Sequence, residues 1–201
     1  MNKKDIYFYL TAIIAIMIPV PANFAYILFI LLNLNIIVPV AVGAKILIQK
    51  LSLGNLDKPL LLVIIVSLLI ILKQLLVFYS PVIALTLSLA IYITPFSLFL
   101  IGNLISNDTT DYKKMLKTYE ISIGMFTVAS LLVSLLREIL AYGTISLPAR
   151  NGIIVFKTIF YKAGLYSFFW GTIPGMFIII GVILAVAMFI QRKFEIVRRM
   201  N

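Results

Sequence analysis

The chain has 201 residues, 63% of them hydrophobic, with 17 Lys and Arg against 7 Asp and Glu and no cysteine or histidine. A soluble domain this short has too little polar surface to cover that much apolar material, so the expected class is a single membrane domain spanning 1–201. The absence of Cys and His removes disulfides, thiolate nucleophiles, Cys-ligated clusters, His-held haem or zinc, and the usual neutral-pH proton shuttle.

A bilayer-crossing helix needs about 20 apolar residues. In chain order, Lys3 and Lys4 precede a first apolar run, Ile6–Ile18. The run ends in Pro19-Val20-Pro21-Ala22-Asn23 with no small-x-small cleavage site, and so reads as an uncleaved first membrane segment. A longer segment follows near Ala22–Ile48. The third is Leu60–Tyr79, the fourth Val82–Ile105 with an interruption at Pro95, the fifth Ile121–Leu136 and the sixth Tyr166–Ile190. Gly54-Asn55, Ser80-Pro81, the polar stretch Ser106–Thr118 and a long connection Arg137–Leu165 separate them. The expectation is an all-α integral membrane protein of about six transmembrane helices.

Lys and Arg placement predicts orientation. With the N-terminus inside, the inner side holds Lys3, Lys4, Lys45, Lys50, Lys58, Lys113, Lys114, Lys117, Arg192, Lys193, Arg198 and Arg199. The outer side holds only Arg137, Arg150, Lys157 and Lys162. Twelve against four places both ends in the cytoplasm of a multi-pass protein of the plasma (inner) membrane. Because the basic residues sit at segment ends, where headgroups act on them, the positive balance does not point to nucleic acid.

The first and fourth segments carry proline breaks, and each is followed by two plainer segments. That is the pattern of a 3+3 inverted repeat, 6–79 and 82–190, with broken first and fourth helices near a mid-membrane site. Ordinary packing kinks at Pro19 and Pro95 would read the same way.

Charges inside the membrane are few. The acidic residues fall at segment ends or in loops, which leaves no carboxylate relay at the bilayer centre. Lys73 is the exception. It either snorkels to the outer interface or sits in a polar cavity beside Gln74, and it is predicted to be the most buried basic residue. Arg137-Glu138 closes the fifth segment as a charged cap. Adjacent helical residues do not face each other, so one is expected to face the bundle and the other the interface. Gly143 suits the loop beyond. Tyr7, Tyr9, Tyr166 and Trp170 fit an interfacial aromatic belt. Asp108 or Thr109 is placed to cap a short surface helix leading into segment five. No phosphate loop, triad or metal motif is present.

The stretch Arg137-Glu138-Ile139-Leu140-Ala141-Tyr142-Gly143-Thr144-Ile145 resembles the membrane subunits of the Rnf and Nqr complexes, of the Rnf E and Nqr D type. Ser122-Ile123-Gly124-Met125, Ile173-Pro174-Gly175-Met176-Phe177-Ile178 and Ile91-Tyr92-Ile93-Thr94-Pro95 are similar to other stretches of that family, in the same order. The resemblance is strong from Glu120 onward and faint before Pro59. It implies an inverted repeat of six helices and a homologous partner subunit of opposite topology. It also implies a translocase that couples electron transport between ferredoxin or NADH and an acceptor to sodium or proton transport. In the family the broken helices supply cysteines to a 2Fe-2S cluster. Here those positions fall near Ile18-Pro19 and near Leu100 or Ile101, so this chain is expected to bind no cofactor and no metal and to be at most a non-catalytic subunit. The competing expectations are a redox-independent transporter or assembly subunit of the same fold, and the substrate-binding component of a vitamin or metal importer. A neighbouring gene for an ATPase would favour the importer.

Overall fold

The computed structural model describes residues 17–51, 56–93, 112–149, 152–164 and 166–200. Among them are seven α-helices and one two-stranded sheet. These are α1 (Phe24–Leu51), α2 (Asp57–Tyr79), α3 (Pro81–Thr86), α4 (Ser88–Ile93), α5 (Tyr112–Tyr142), β1 (Thr144–Ala149), β2 (Gly152–Lys157), α6 (Ile159–Lys162) and α7 (Ile173–Met200). A 3-10 turn, Phe168–Gly171, precedes α7.

Three helices are long and apolar enough to cross a membrane: Phe24–Leu51, Asp57–Tyr79, and Ile123–Tyr142 within α5. The apolar part of α7, Ile173–Val186, is shorter. The expected fourth segment is described as far as Ile93, and Pro95, Leu100, Ile101, Asp108 and Thr109 lie outside the described residues, as do Tyr7 and Tyr9.

Helix α1 is the centre of the fold. Ile27, Ile30, Leu34, Ile37, Ala41 and Ile48 recur at helical spacing and are buried against α2 and α5. Pro39 lies inside the helix without ending it, although it removes the amide that would reach the Asn35 carbonyl. The Asn35 side-chain amide donates to the Leu31 carbonyl at 2.7 Å and to Thr127 Oγ1 on α5 at 3.0 Å. Together with the contact of Phe24 to Glu138, this fixes α1 antiparallel to α5: eleven residues further along one helix match eleven residues back along the other.

On α2 the buried row is Leu61, Ile65, Leu69 and Leu76. The helix stops at a single extended residue, Ser80, whose amide donates to the Leu76 carbonyl at 2.8 Å. Pro81 then opens α3, where its missing N–H costs nothing. A turn at Leu87 leads to α4, which folds back along α2. The predicted Ser80-Pro81 break is therefore one residue wide.

Two expectations change. First, α5 runs unbroken from Tyr112 for 31 residues, about 46 Å, so the described residues from Tyr112 onward form one helix with segment five. It also continues six residues past Leu136, because Ile139-Leu140-Ala141 keep an apolar helical pattern and Gly143 ends it with φ of 66°. Second, the connection Arg137–Leu165 is not a plain loop. It contains an antiparallel hairpin in register from Thr144↔Lys157 to Ala149↔Gly152.

Gly143 carries a specific steric demand. A Cβ there would sit 2.8 Å from the Tyr161 amide nitrogen and Cα, and its carbonyl accepts from the Thr158 amide at 3.0 Å and from the Thr158 hydroxyl. Gly143→Ala is expected to cost about 2–4 kcal/mol, combining left-handed strain with overpacking. An unfolding titration followed by circular dichroism in mixed micelles checks this, and a change below about 1 kcal/mol would contradict the packing described.

Candidate functional site

The site is the interruption between Met17 and Phe24. A chain break inside a bundle exposes carbonyls on one side and amides on the other, and each must find a partner away from water. Pro19 and Pro21 ensure the break, because neither can donate a helical hydrogen bond.

Arg137 and Glu138 supply both sets of partners. Successive residues on a helix point about 100° apart, so one can reach each side of the break. Arg137 Nη1 donates to the Met17 carbonyl at 3.2 Å and to the Val20 carbonyl at 3.1 Å. Its Nη2 donates to the Gly171 carbonyl at 2.8 Å, which ties the 3-10 turn before α7 to the same point. Glu138 Oε2 accepts the Phe24 amide at 2.5 Å, the first amide of α1. A carboxylate at a helix N-terminus also meets the positive end of the helix dipole.

The hairpin completes the arrangement. Ser146 Oγ donates to Glu138 Oε2 at 2.9 Å and accepts the Ala25 amide at 3.1 Å, so it caps a second orphan donor of α1. Thr144 Oγ1 donates to Glu138 Oε1 at 3.2 Å. Arg137 is 3% exposed and Glu138 0%. The expectation that one of the two faces the interface is corrected, since both turn inward, to different neighbours. Glu138 is likewise inside a helix rather than beyond one. Arg137 Nε has no partner within the described structure.

The start of α7 meets this joint through a close approach. A Cβ on Gly175 would lie 2.3 Å from the Phe169 carbonyl oxygen and 2.7 Å from the Trp170 Cα, so only glycine lets α7 pack on the turn that Arg137 holds. The Ile173-Pro174-Gly175 stretch thus has a packing reason of its own.

Lys73 lies apart from this joint. Its Nζ donates to the Tyr92 hydroxyl at 3.1 Å and sits 4.5 Å over the Tyr92 ring, while Gln74 is exposed. The expectation that Lys73 is the most buried basic residue is corrected. Lys73 is half-buried, whereas Lys45 and Arg137 are both buried. Lys73 continues the buried row Leu61-Ile65-Leu69 at i+4 spacing, and Tyr92 meets it because α4 folds back on α2. Lys73→Leu is expected to change stability by less than about 1 kcal/mol, because a half-exposed cation–π contact is worth about that much and leucine recovers apolar packing. The same unfolding titration measures it.

Pro19 stands in the break, and Ile18 packs half-buried against the core. A methyl-bearing side chain gives no thiolate or imidazole to iron, so the donor set at Ile18 does not fit a cluster. Among the described residues there is no group of three or more His, Cys, Asp or Glu placed to hold a metal. What the arrangement does is hold backbone: the side chains of Arg137, Glu138 and Ser146 fix the Met17 and Val20 carbonyls, the first amides of α1 and the turn before the last helix.

Sequence reasoning missed Ser146, Thr144 and the Gly171 carbonyl. The signal was present in Thr144-Ile145-Ser146-Leu147, a polar–apolar alternation, followed by Asn151-Gly152 and a β-branched run. Compared with known proteins, the chain matches no family model and no curated sequence.

Proposed function

We propose that this chain is a membrane subunit of an Rnf/Nqr-like ion-translocating electron-transport complex, with six membrane segments, both ends cytoplasmic, and no cluster ligands of its own. The observation that carries this reading is the braced interruption at residues 18–23. An interruption of apolar chain held by buried charged side chains is costly to maintain, and that cost is typical of transport sites built on discontinuous helices. The Arg137-Glu138 stretch on which the resemblance rests is the one that does the bracing. In this reading the chain holds the geometry of the shared membrane core, and partner subunits supply the redox groups. The test is purification of the tagged chain from its own membranes in mild detergent. Flavin-bearing and cysteine-bearing membrane subunits are expected to come with it, and deleting the chain is expected to abolish sodium- or proton-coupled electron transfer in membrane vesicles. Isolation of the chain with an ATPase, or unchanged electron transfer after deletion, would overturn the reading.

The lack of any Cys or His favours one alternative, a redox-independent transporter or assembly subunit of the same fold. In that case partner subunits would copurify but coupled electron transfer would survive the deletion.

A further inference from the structure

The hairpin between α5 and α7 is inside out by the standards of a water-soluble protein. Alternation along the strands puts Thr144 and Ser146 on one face, buried against Glu138. The opposite face carries Ile145, Leu147, Ile154 and Phe156, which the register pairs as Ile145↔Phe156 and Leu147↔Ile154. The β1 half of its polar face is covered, while Val155 and Lys157 opposite Ser146 and Thr144 are exposed; on the apolar face Leu147, Ile154 and Phe156 are all exposed, the last at 53%. Phe160 and Phe168 in the following segment are exposed as well.

Three features of the surroundings select the occupant. Strand β2 packs against α3, where Val82 and Leu85 are exposed, Leu85 at 81%. The uncovered face therefore lies beside helices whose own surface is apolar. Lys157 and Lys162 flank the segment with positive charge, and the Lys157 ammonium lies 4.5 Å over the Tyr161 ring. Tyr161 stacks parallel on Tyr166 at 5.4 Å, Tyr166 meets Phe168 edge-on, and Phe168 meets Tyr142 at the end of α5. A ladder of tyrosines with lysines beside it is the composition of a membrane–water boundary, where aromatic bodies enter the acyl region and ammonium groups reach phosphates.

We infer that the β1–β2 hairpin lies flat in the headgroup region of the bilayer, its Ile145-Leu147-Ile154-Phe156 face on the acyl chains and Lys157 and Lys162 at phospholipid phosphates. Seating the hairpin on lipid holds Ser146 and Thr144 against Glu138 from the outside. This inference needs only a bilayer and is independent of the redox reading.

The cysteine-free chain makes the test direct. Ile154→Cys and Phe156→Cys, each labelled with a nitroxide, are reconstituted as full-length chain into vesicles of phosphatidylcholine and phosphatidylglycerol. Collision with oxygen, which concentrates among acyl chains, is compared with collision with a water-soluble nickel chelate. Phe78→Cys, at a position 93% exposed on α2, serves as the helix-surface reference. Oxygen is expected to dominate at both hairpin positions, at a depth within about 10 Å of the phosphates. Dominance of the nickel chelate would overturn the inference by placing the hairpin in water. Exclusion of both reagents would overturn it by showing that a protein surface, a second copy or another subunit, covers the face. Leu147→Cys and Ile159→Cys provide further positions should either first variant fail to fold.

Discussion

Arg137→Ala is expected to destabilise the chain by about 3–5 kcal/mol, the range for removing one member of a buried charged network. One guanidinium serves three carbonyls that belong to three different parts of the chain: Met17, Val20 and Gly171. Each carbonyl left without a donor in an apolar surrounding costs about 1–3 kcal/mol on its own, less whatever water or relaxation returns. Arg137→Lys is expected to keep less than half of the stability, because an ammonium is a point donor and cannot span the two Nη groups of the planar fork. Unfolding in mixed micelles followed by circular dichroism reads the loss. Limited proteolysis reads where it occurs: cleavage is expected to appear first within residues 18–23. A loss below about 1 kcal/mol in Arg137→Ala would mean that the break holds itself together.

Glu138→Ala is expected to be about as damaging, about 3–4 kcal/mol, for the opposite reason. It strands donors instead of acceptors: the Phe24 amide and the hydroxyls of Ser146 and Thr144. Glu138→Gln keeps one acceptor oxygen but turns an NH2 toward groups that donate, so about half of the loss is expected to remain. Ser146→Ala is expected to cost about 1–2 kcal/mol, since Ala25 loses its cap and Glu138 one of its donors. Because Ser146 and Glu138 share hydrogen bonds, the double substitution Glu138→Ala with Ser146→Ala is expected to cost clearly less than the sum of the two. Strict additivity would show that the hairpin and the helix end are independent.

The sequence made the long apolar elements readable, because hydrophobic runs and their punctuation are local. The break at Pro19–Asn23 and the stop at Ser80-Pro81 stand where proline chemistry puts them. Three of the expected segments correspond to helices long and apolar enough to cross a membrane, although Pro39 lies within the first of these without breaking it. Arg137, Glu138 and Gly143 were legible as unusual residues. Their work was not, because the partners of Arg137 and Glu138 include backbone groups more than a hundred residues away and carry no side-chain signature. The charge pair also misled the boundary. Charges ordinarily mark the end of a membrane helix, yet here they lie inside one, satisfied by backbone groups on the two sides of the interruption at residues 18–23. The hairpin was not legible because Arg137–Leu165 reads as one long connection between segments, and only the Ser/Thr alternation and Asn151-Gly152 mark strands within it.

The separation of 114 residues between the Phe24 amide and its acceptor on Glu138 has a consequence for synthesis. At about 5–20 residues per second, a ribosome needs roughly 6–23 s to travel from one to the other. Throughout that interval the start of α1 emerges and meets the insertion machinery with its first amides uncapped. The early helices therefore form a provisional assembly, and the order of synthesis makes the fifth helix, with the serine that follows it, the closing event of the N-terminal half.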